Sequence, residues 1–272
     1  MDLYARPTTV SPRGQETREI IDLHLTVTDP YQNILVHPVR SPSYRFMVAE
    51  WLWIWFGRED VASISRYNSR IKEFSDNGIT FQGAYGPRIG VFSHRTISPW
   101  CHVVDRLVSD PDTRQAVLPI FREKDLTGGY TRDVPCTISI QFLYRNGQLE
   151  TVVNMRSSDV WLGLVYDFFN FSMLANVMAA NFGWQLGPLH MNLGSSHLYR
   201  TNFDKAAEVI KTYEVKTLRS PQLHSGPPYQ LQSTLLGEDP TPMPQPWRNY
   251  GFVLKAPTND AALELLTWLT NA

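Results

Sequence analysis

Between residues 45 and 56 the sequence RFMVAEWLWIWF is apolar on every face of a helical wheel except at Glu50. That pattern predicts a helix buried all round, with one acid in an apolar place. Residues 61–74 (VASISRYNSRIKEF) have the mixed pattern of a half-exposed helix, and Gly78, Gly83 and Gly86 mark loops around Tyr85 that can approach a ligand closely. From 137 to 144, Ile138, Ile140, Phe142 and Tyr144 alternate with Thr137, Ser139 and Gln141; Asn146-Gly147 then supplies a tight turn and 149–155 a return strand. Residues 167–182 (DFFNFSMLANVMAANF) read as a long apolar helix that Gly183 terminates, and Asn202 or Asp204 begins the amphipathic stretch KAAEVIKTYEV. Strands and helices mix without regular alternation, which points to an α+β fold rather than a doubly wound one. The proline-rich residues 225–247 read as a long surface excursion, and too little chain follows them for a second domain. One domain over 1–272 is expected.

Composition narrows the functional classes. A chain of 272 residues that is 43% hydrophobic buries a sizeable core, and its formal net charge of -1 gives no field for a nucleic-acid backbone. A single phosphate can still be held by a local arginine cluster. No apolar run follows the first basic residues and none is long enough to span a bilayer, so a cytoplasmic protein with no membrane partner is expected. Cys101 and Cys136 are the two cysteines, too few for a disulfide framework and without the paired spacing of a zinc site, so no metal is expected.

Individually the chemistry-bearing residues leave two readings open. Cys136, in VPCT at the mouth of a strand, is either a small core residue or a nucleophile if cations lower its pKa. Arg156, Ser157 and Asp159 end the return strand as an anion site or as a solvated turn with a local salt bridge. His197 and Tyr199 in SSHLY share one strand face, suited to a sugar hydroxyl or to a satisfied core histidine. Glu50 is either a functional acid or neutralised by an arginine such as Arg45.

The set, in order, resembles the thymidylate synthase family: Arg13-Gly14, RFMVAEWLW with Glu50, GAYG with Tyr85, DPDTR with Arg114, VPC with Cys136, QF, MRSSD, LGLVYD and LGSSHLY. The resemblance runs roughly from Ser11 to Asp204 and is most specific from Pro135 to Tyr199. It implies an α+β fold with a large mixed or antiparallel sheet packed by helices, and a homodimer formed through that sheet. It also implies that Cys136 adds to C6 of a pyrimidine nucleotide, so that C5 attacks the iminium of the cosubstrate 5,10-methylenetetrahydrofolate. Arg156 and Ser157 match the phosphate-binding pair, Arg13 reaches in from an N-terminal loop, and Arg114 matches an arginine that the partner subunit contributes. Arg156 near the sulfur is expected to lower the thiol pKa. Glu50 matches a glutamate that organises water and proton transfer, and Tyr85 a residue that helps remove the C5 proton. Asp159 (also in a catalytic role), Leu162, Gly163, Tyr166 and Ile71 fall on the folate side, and His197 with Tyr199 on the sugar 3′-hydroxyl.

Departures from the family pattern refine the expected substrate. Asp167 replaces the asparagine that pairs with uracil; a carboxyl sharing a proton with N3 pairs with the cytosine edge, whereas an ionised one repels uracil O4. The return strand TVVNMRSSDV is also similar to that of the T-even phage deoxycytidylate hydroxymethylases, which carry aspartate at the matching place. Ile71 stands where the family has a tryptophan covering the methylene intermediate, and the ending ALELLTWLTNA does not resemble its closing tail; both favour water over hydride as the final acceptor. Gln115 beside Arg114 and Thr137 after Cys136 replace a common arginine and histidine, which implies weaker phosphate binding. The expected activity is hydroxymethylation of dCMP or CMP at C5. The alternatives are a cytidylate C5-methylase, a dUMP-using thymidylate synthase, and a catalytically idle relative that binds nucleotide or RNA.

Overall fold

The computed structural model describes residues 8–91, 98–127, 131–212, 215–223, 229–238 and 247–271. Its strands are β1 (Thr8–Val10), β2 (Thr17–Val27), β3 (Ile34–Val36), β4 (Val117–Pro119), β5 (Thr137–Arg145), β6 (Gln148–Met155), β7 (Ser158–Asp159), β8 (Gln185–Tyr199) and β9 (Lys216–Leu218). Its helices are α1 (Tyr44–Trp55), α2 (Val61–Ile64), α3 (Gly86–Ile89), α4 (Pro99–Ser109), α5 (Lys124–Thr127), α6 (Leu164–Phe182), α7 (Phe203–Thr212), α8 (Tyr229–Leu235), α9 (Trp247–Lys255) and α10 (Asn259–Asn271).

The main sheet runs β1-β2-β8-β6-β5-β4, with β7 also on β8. The β5–β6 hairpin closes at Asn146 and Gly147, whose φ of 51° and 84° are those of the tight turn that matches strand twist. The pair β6 and β8 is parallel, so the chain needs a crossover between them, and α6 is that crossover. Gly183, at φ 66°, ends α6 in the left-handed conformation that glycine adopts without strain. The other main-sheet pairings are antiparallel apart from β7 with β8, giving the mixed sheet of an α+β fold.

The core lies between one sheet face (Leu149, Val153, Leu189, Met191) and α1, α6 and the C-terminal helices. Trp51 is fully buried in α1 and stacks on Trp247 at 5.8 Å, with Tyr250 at 5.4 Å. Asn259, at the head of α10, accepts from the Tyr44 amide at 2.9 Å and donates to the Pro42 carbonyl at 2.9 Å, so it ties α10 to the start of α1. Replacing Trp51 with alanine leaves a large void there. It is expected to lower unfolding free energy by about 3–5 kcal/mol, measured by urea denaturation.

Three expectations need revision. Residues 61–74 do not form one helix: Asp60 caps α2 by accepting from the Ser63 amide, and Asn68 caps a separate 3-10 helix, Ser69–Phe74, by accepting from the Arg70 amide. Two capping side chains eight residues apart restart the backbone and break the helical face. α6 begins at Leu164, so Asp167 falls in its first turn. Within 225–247, α8 buries Leu231 and Leu235 in the core, so that part is no surface excursion; residues 224–228 and 239–246 lie outside the described residues.

Candidate functional site

The site forms where the sheet changes composition. β6 ends at Met155, and β7 continues along β8 with Asp159 in register with His197. At the break, the Arg156 amide donates to the Cys136 carbonyl at 2.8 Å and the Arg156 carbonyl accepts from the Ser195 amide at 3.1 Å. The nucleophile candidate, the anion candidates and the end of β8 are thereby fixed to one another by backbone bonds.

Cys136 is half-buried, and its sulfur lies 3.8 Å from Nη2 of Arg156. The same guanidinium donates to the Pro135 and Val134 carbonyls at 3.0 and 2.8 Å, holding the loop before the cysteine. Burial pushes the thiol pKa up; Arg156 and then Arg13 pull it down, while Asp167 and Asp133 push it up. Arg156 therefore acts in the expected direction, but burial outweighs it and the net shift is upward. Arg13 is exposed at φ 54°, in a turn with Gly14 at φ 78°.

Ser157 Oγ lies 3.4 Å from Nδ1 of His197, and the rings of His197 and Tyr199 meet edge to face at 5.3 Å. Asp159 makes no salt bridge to Arg156. Its Oδ1 instead accepts from the Trp161 and Leu162 amides at 2.8 and 3.0 Å, shaping the turn into α6 and leaving Oδ2 for a ligand. Tyr166 is pinned by its hydroxyl, which accepts from the Ser43 amide at 2.9 Å. Ile71 is half-buried on the 3-10 helix and packs against the core. Arg114 is exposed before β4, where its carbonyl accepts from Gln141, and it is no part of this cluster.

Glu50 pairs with Asn170 rather than Arg45. Asn170 donates to Glu50 Oε2 at 2.9 Å, whereas Arg45 donates to the Leu254 carbonyl and lies over the Tyr67 ring. Burial pushes Glu50 up to about 7, opposed by the Asn170 bond. Asp167 is pushed up to about 8 by burial and then by Glu50 and Asp159. Tyr85 is raised well above its ordinary value by burial and by the charges of Asp167 and Cys136. Its hydroxyl accepts from Thr137 Oγ1 at 3.0 Å, so Thr137 contacts the tyrosine and not an anion site. Three residues missed in the sequence belong here: Asn170, one turn after Asp167 on the same helix face; Asp133, three before Cys136; and Thr137 as the partner of Tyr85.

Both raised carboxyls hold protons in the folded protein that the unfolded chain loses near pH 4. Stability they contribute is therefore full at acid pH and falls as pH rises through 7 to 8. Thermal unfolding midpoints between pH 5 and 9 should fall with pH in the wild type. In a Glu50→Gln/Asp167→Asn double variant the slope should flatten.

Among the described residues no group of three or more His, Cys, Asp or Glu side chains is arranged to hold a metal ion. Likewise no described helix is long and apolar enough to cross a membrane.

The family model described as thymidylate synthase matches residues 9–232. The chain belongs to the thymidylate synthase family. It is 30% identical over 218 residues to a deoxyuridylate hydroxymethyltransferase of Bacillus phage SP01, covering 76% of this chain and 57% of that one. A protein of the same description from Delftia phage PhiW-14 is 27% identical over 198 residues, covering 68% and 54%. The chain thus spans about half the length of these phage relatives. Among solved structures, thermostable thymidylate synthase A from Bacillus subtilis matches with a TM-score of 0.61 at 20% identity, over 78% of this chain and 74% of that one, which shows the shared fold.

Proposed function

We propose that this protein is a one-carbon transferase of the thymidylate synthase family that hydroxymethylates a cytidylate, dCMP or CMP, at C5. The observation carrying the base assignment is Asp167, a carboxyl pushed up to about 8 by burial and by Glu50 and Asp159 and therefore protonated at neutral pH, whose ionised form would raise the Cys136 thiol pKa. In this reading the Cys136 thiolate bonds to C6 and the C5=C6 electron pair moves into the ring. Asp167 gives its proton to N3 and then, as a carboxylate, accepts from both N3–H and the N4 amino group. An aza-enolate nitrogen is a stronger base than the enolate oxygen of uracil, so this transfer favours cytosine.

Methylenetetrahydrofolate supplies the carbon that C5 attacks, with Asp159 Oδ2, Leu162, Gly163 and Tyr166 as its binding residues. The C5 proton then leaves to water beside Tyr85 and Glu50. After tetrahydrofolate departs, water adds to the exocyclic methylene, the C6–S bond breaks, and no reducing equivalent is consumed. Ile71, smaller than an indole, leaves the methylene open to that water; the names of the phage relatives also support hydroxymethylation. Arg13, Arg156 and Ser157 take the phosphate, and His197 and Tyr199 the 3′-hydroxyl.

Dimerisation through the open sheet face belongs to the same proposal, with Arg114 reaching the partner's phosphate site. Supporting it, that face carries a polar ladder from His24 through Asn192 and Asn154 to Ser139 at 2.6, 2.9 and 3.1 Å.

A second reading is favoured by the relatives: both phage proteins are described as acting on deoxyuridylate. A protonated Asp167 also presents a donor to uracil O4. The test is incubation with methylenetetrahydrofolate and equal CMP, dCMP and dUMP, with products identified by mass. A hydroxymethylated cytidylate is expected, and its sugar fixes the substrate; 5-hydroxymethyl-dUMP alone establishes the second reading, and a methyl product overturns hydration.

A further inference from the structure

We propose that Asp133 and Thr137 are positioning residues that lock the nucleophile segment to the Tyr85 loop, so that the Cys136 sulfur and the Tyr85 hydroxyl act as one rigid unit. The inference rests on the reading above, in which Cys136 bonds to C6 and the neighbouring C5 proton leaves beside Tyr85. Groups that act on two bonded ring atoms have to keep a fixed spacing through addition and elimination, because a shift that suits one atom misplaces the other.

Two tethers meet that need. Asp133, three residues before the cysteine, accepts the Gly83 amide on Oδ2 at 2.8 Å. Thr137, directly after the cysteine and fully buried, donates to the Tyr85 oxygen from its amide at 3.3 Å and from Oγ1 at 3.0 Å. The loops also meet backbone to backbone. A Cβ on Gly83 would stand 2.7 Å from the Asp133 carbonyl oxygen, closer than real contacts allow, and 3.2 Å from the Pro135 nitrogen, a tight contact. Arg156 fastens the intervening residues at the Val134, Pro135 and Cys136 carbonyls, so each of residues 133–137 is held from one side or the other. Tyr85 stacks on Phe171 at 6.5 Å, which limits its ring. With two donations received, the Tyr85 oxygen has both lone pairs engaged and keeps its own proton to donate. Tyr85 therefore orients the water that takes that proton instead of accepting it.

The experiment compares Thr137→Val and Asp133→Ala with Thr137→Ser and Asp133→Asn, which keep a donor and an acceptor respectively. The first pair should lower kcat about 10- to 100-fold with the nucleotide KM within about twofold. The covalent nucleotide adduct should accumulate in denaturing mass spectra, because addition at C6 survives while C5 proton loss slows. The second pair should retain kcat within about threefold. Amide exchange across 81–86 should speed up in the first pair and not in the second, a readout needing no substrate. Equal impairment of Thr137→Val and Thr137→Ser, or unchanged exchange in the first pair, overturns the lock. A wild type that turns over no pyrimidine nucleotide, while exchange behaves as stated, sinks the proposed function and leaves the lock standing.

Discussion

Asp167→Asn is expected to move base preference from cytosine toward uracil by about 100-fold or more in kcat/KM, roughly 3 kcal/mol. An amide keeps one donor and one acceptor at every pH and pairs with uracil N3–H and O4, but it has no proton to give to cytosine N3. The measurement is kcat/KM for dCMP and dUMP between pH 6 and 9. On the proposed mechanism the acid form of the wild type is the active one, so cytidylate turnover should fall as pH rises through about 8, where Asp167 ionises. The asparagine variant should lose that limb. An unchanged ratio would mean that Asp167 does not read the base edge, and the deoxyuridylate reading would then stand on the relatives' descriptions alone.

The parts of the fold legible in the sequence were those fixed by local pattern. The 45–56 run is apolar on all sides and forms α1; Asn146-Gly147 closes the predicted hairpin; Gly183 stops α6. Illegible parts depended on competition or on tertiary burial. Asp60 and Asn68 are compatible with one helix or two, and the capping bonds that divide it exist only in the folded chain. The helix YQLQSTL is hidden among prolines, yet its Leu231 and Leu235 are core residues. At the site, family order brought forward Cys136, Arg156 and Asp167, whereas Asn170 and Asp133 depend on pairings 120 and 50 residues distant in sequence. The direction of the Cys136 shift was also beyond the sequence, because burial and Arg156 oppose each other and their balance depends on how deep the sulfur sits.

That balance sets the last prediction. Cys136→Ser should reduce turnover by about 10⁴-fold or more, since a serine hydroxyl at this position lacks both the acidity and the nucleophilicity of the thiol and no general base hydrogen-bonds it. Binding should survive, because the side chains proposed to hold phosphate, sugar and base are others: the Kd for dCMP, read by tryptophan fluorescence, should stay within about threefold. In the wild type, alkylation of the thiol should speed up with pH along a limb displaced above that of a free cysteine, as burial dictates, and dCMP should protect it. Arg156→Ala removes the largest lowering influence and should displace the limb further upward, slowing alkylation at pH 8. Substantial turnover in Cys136→Ser would remove covalent catalysis from the mechanism. Intact nucleotide binding with no turnover in the wild type would make the protein a binding relative, whose raised thiol is a consequence of burial and nothing more.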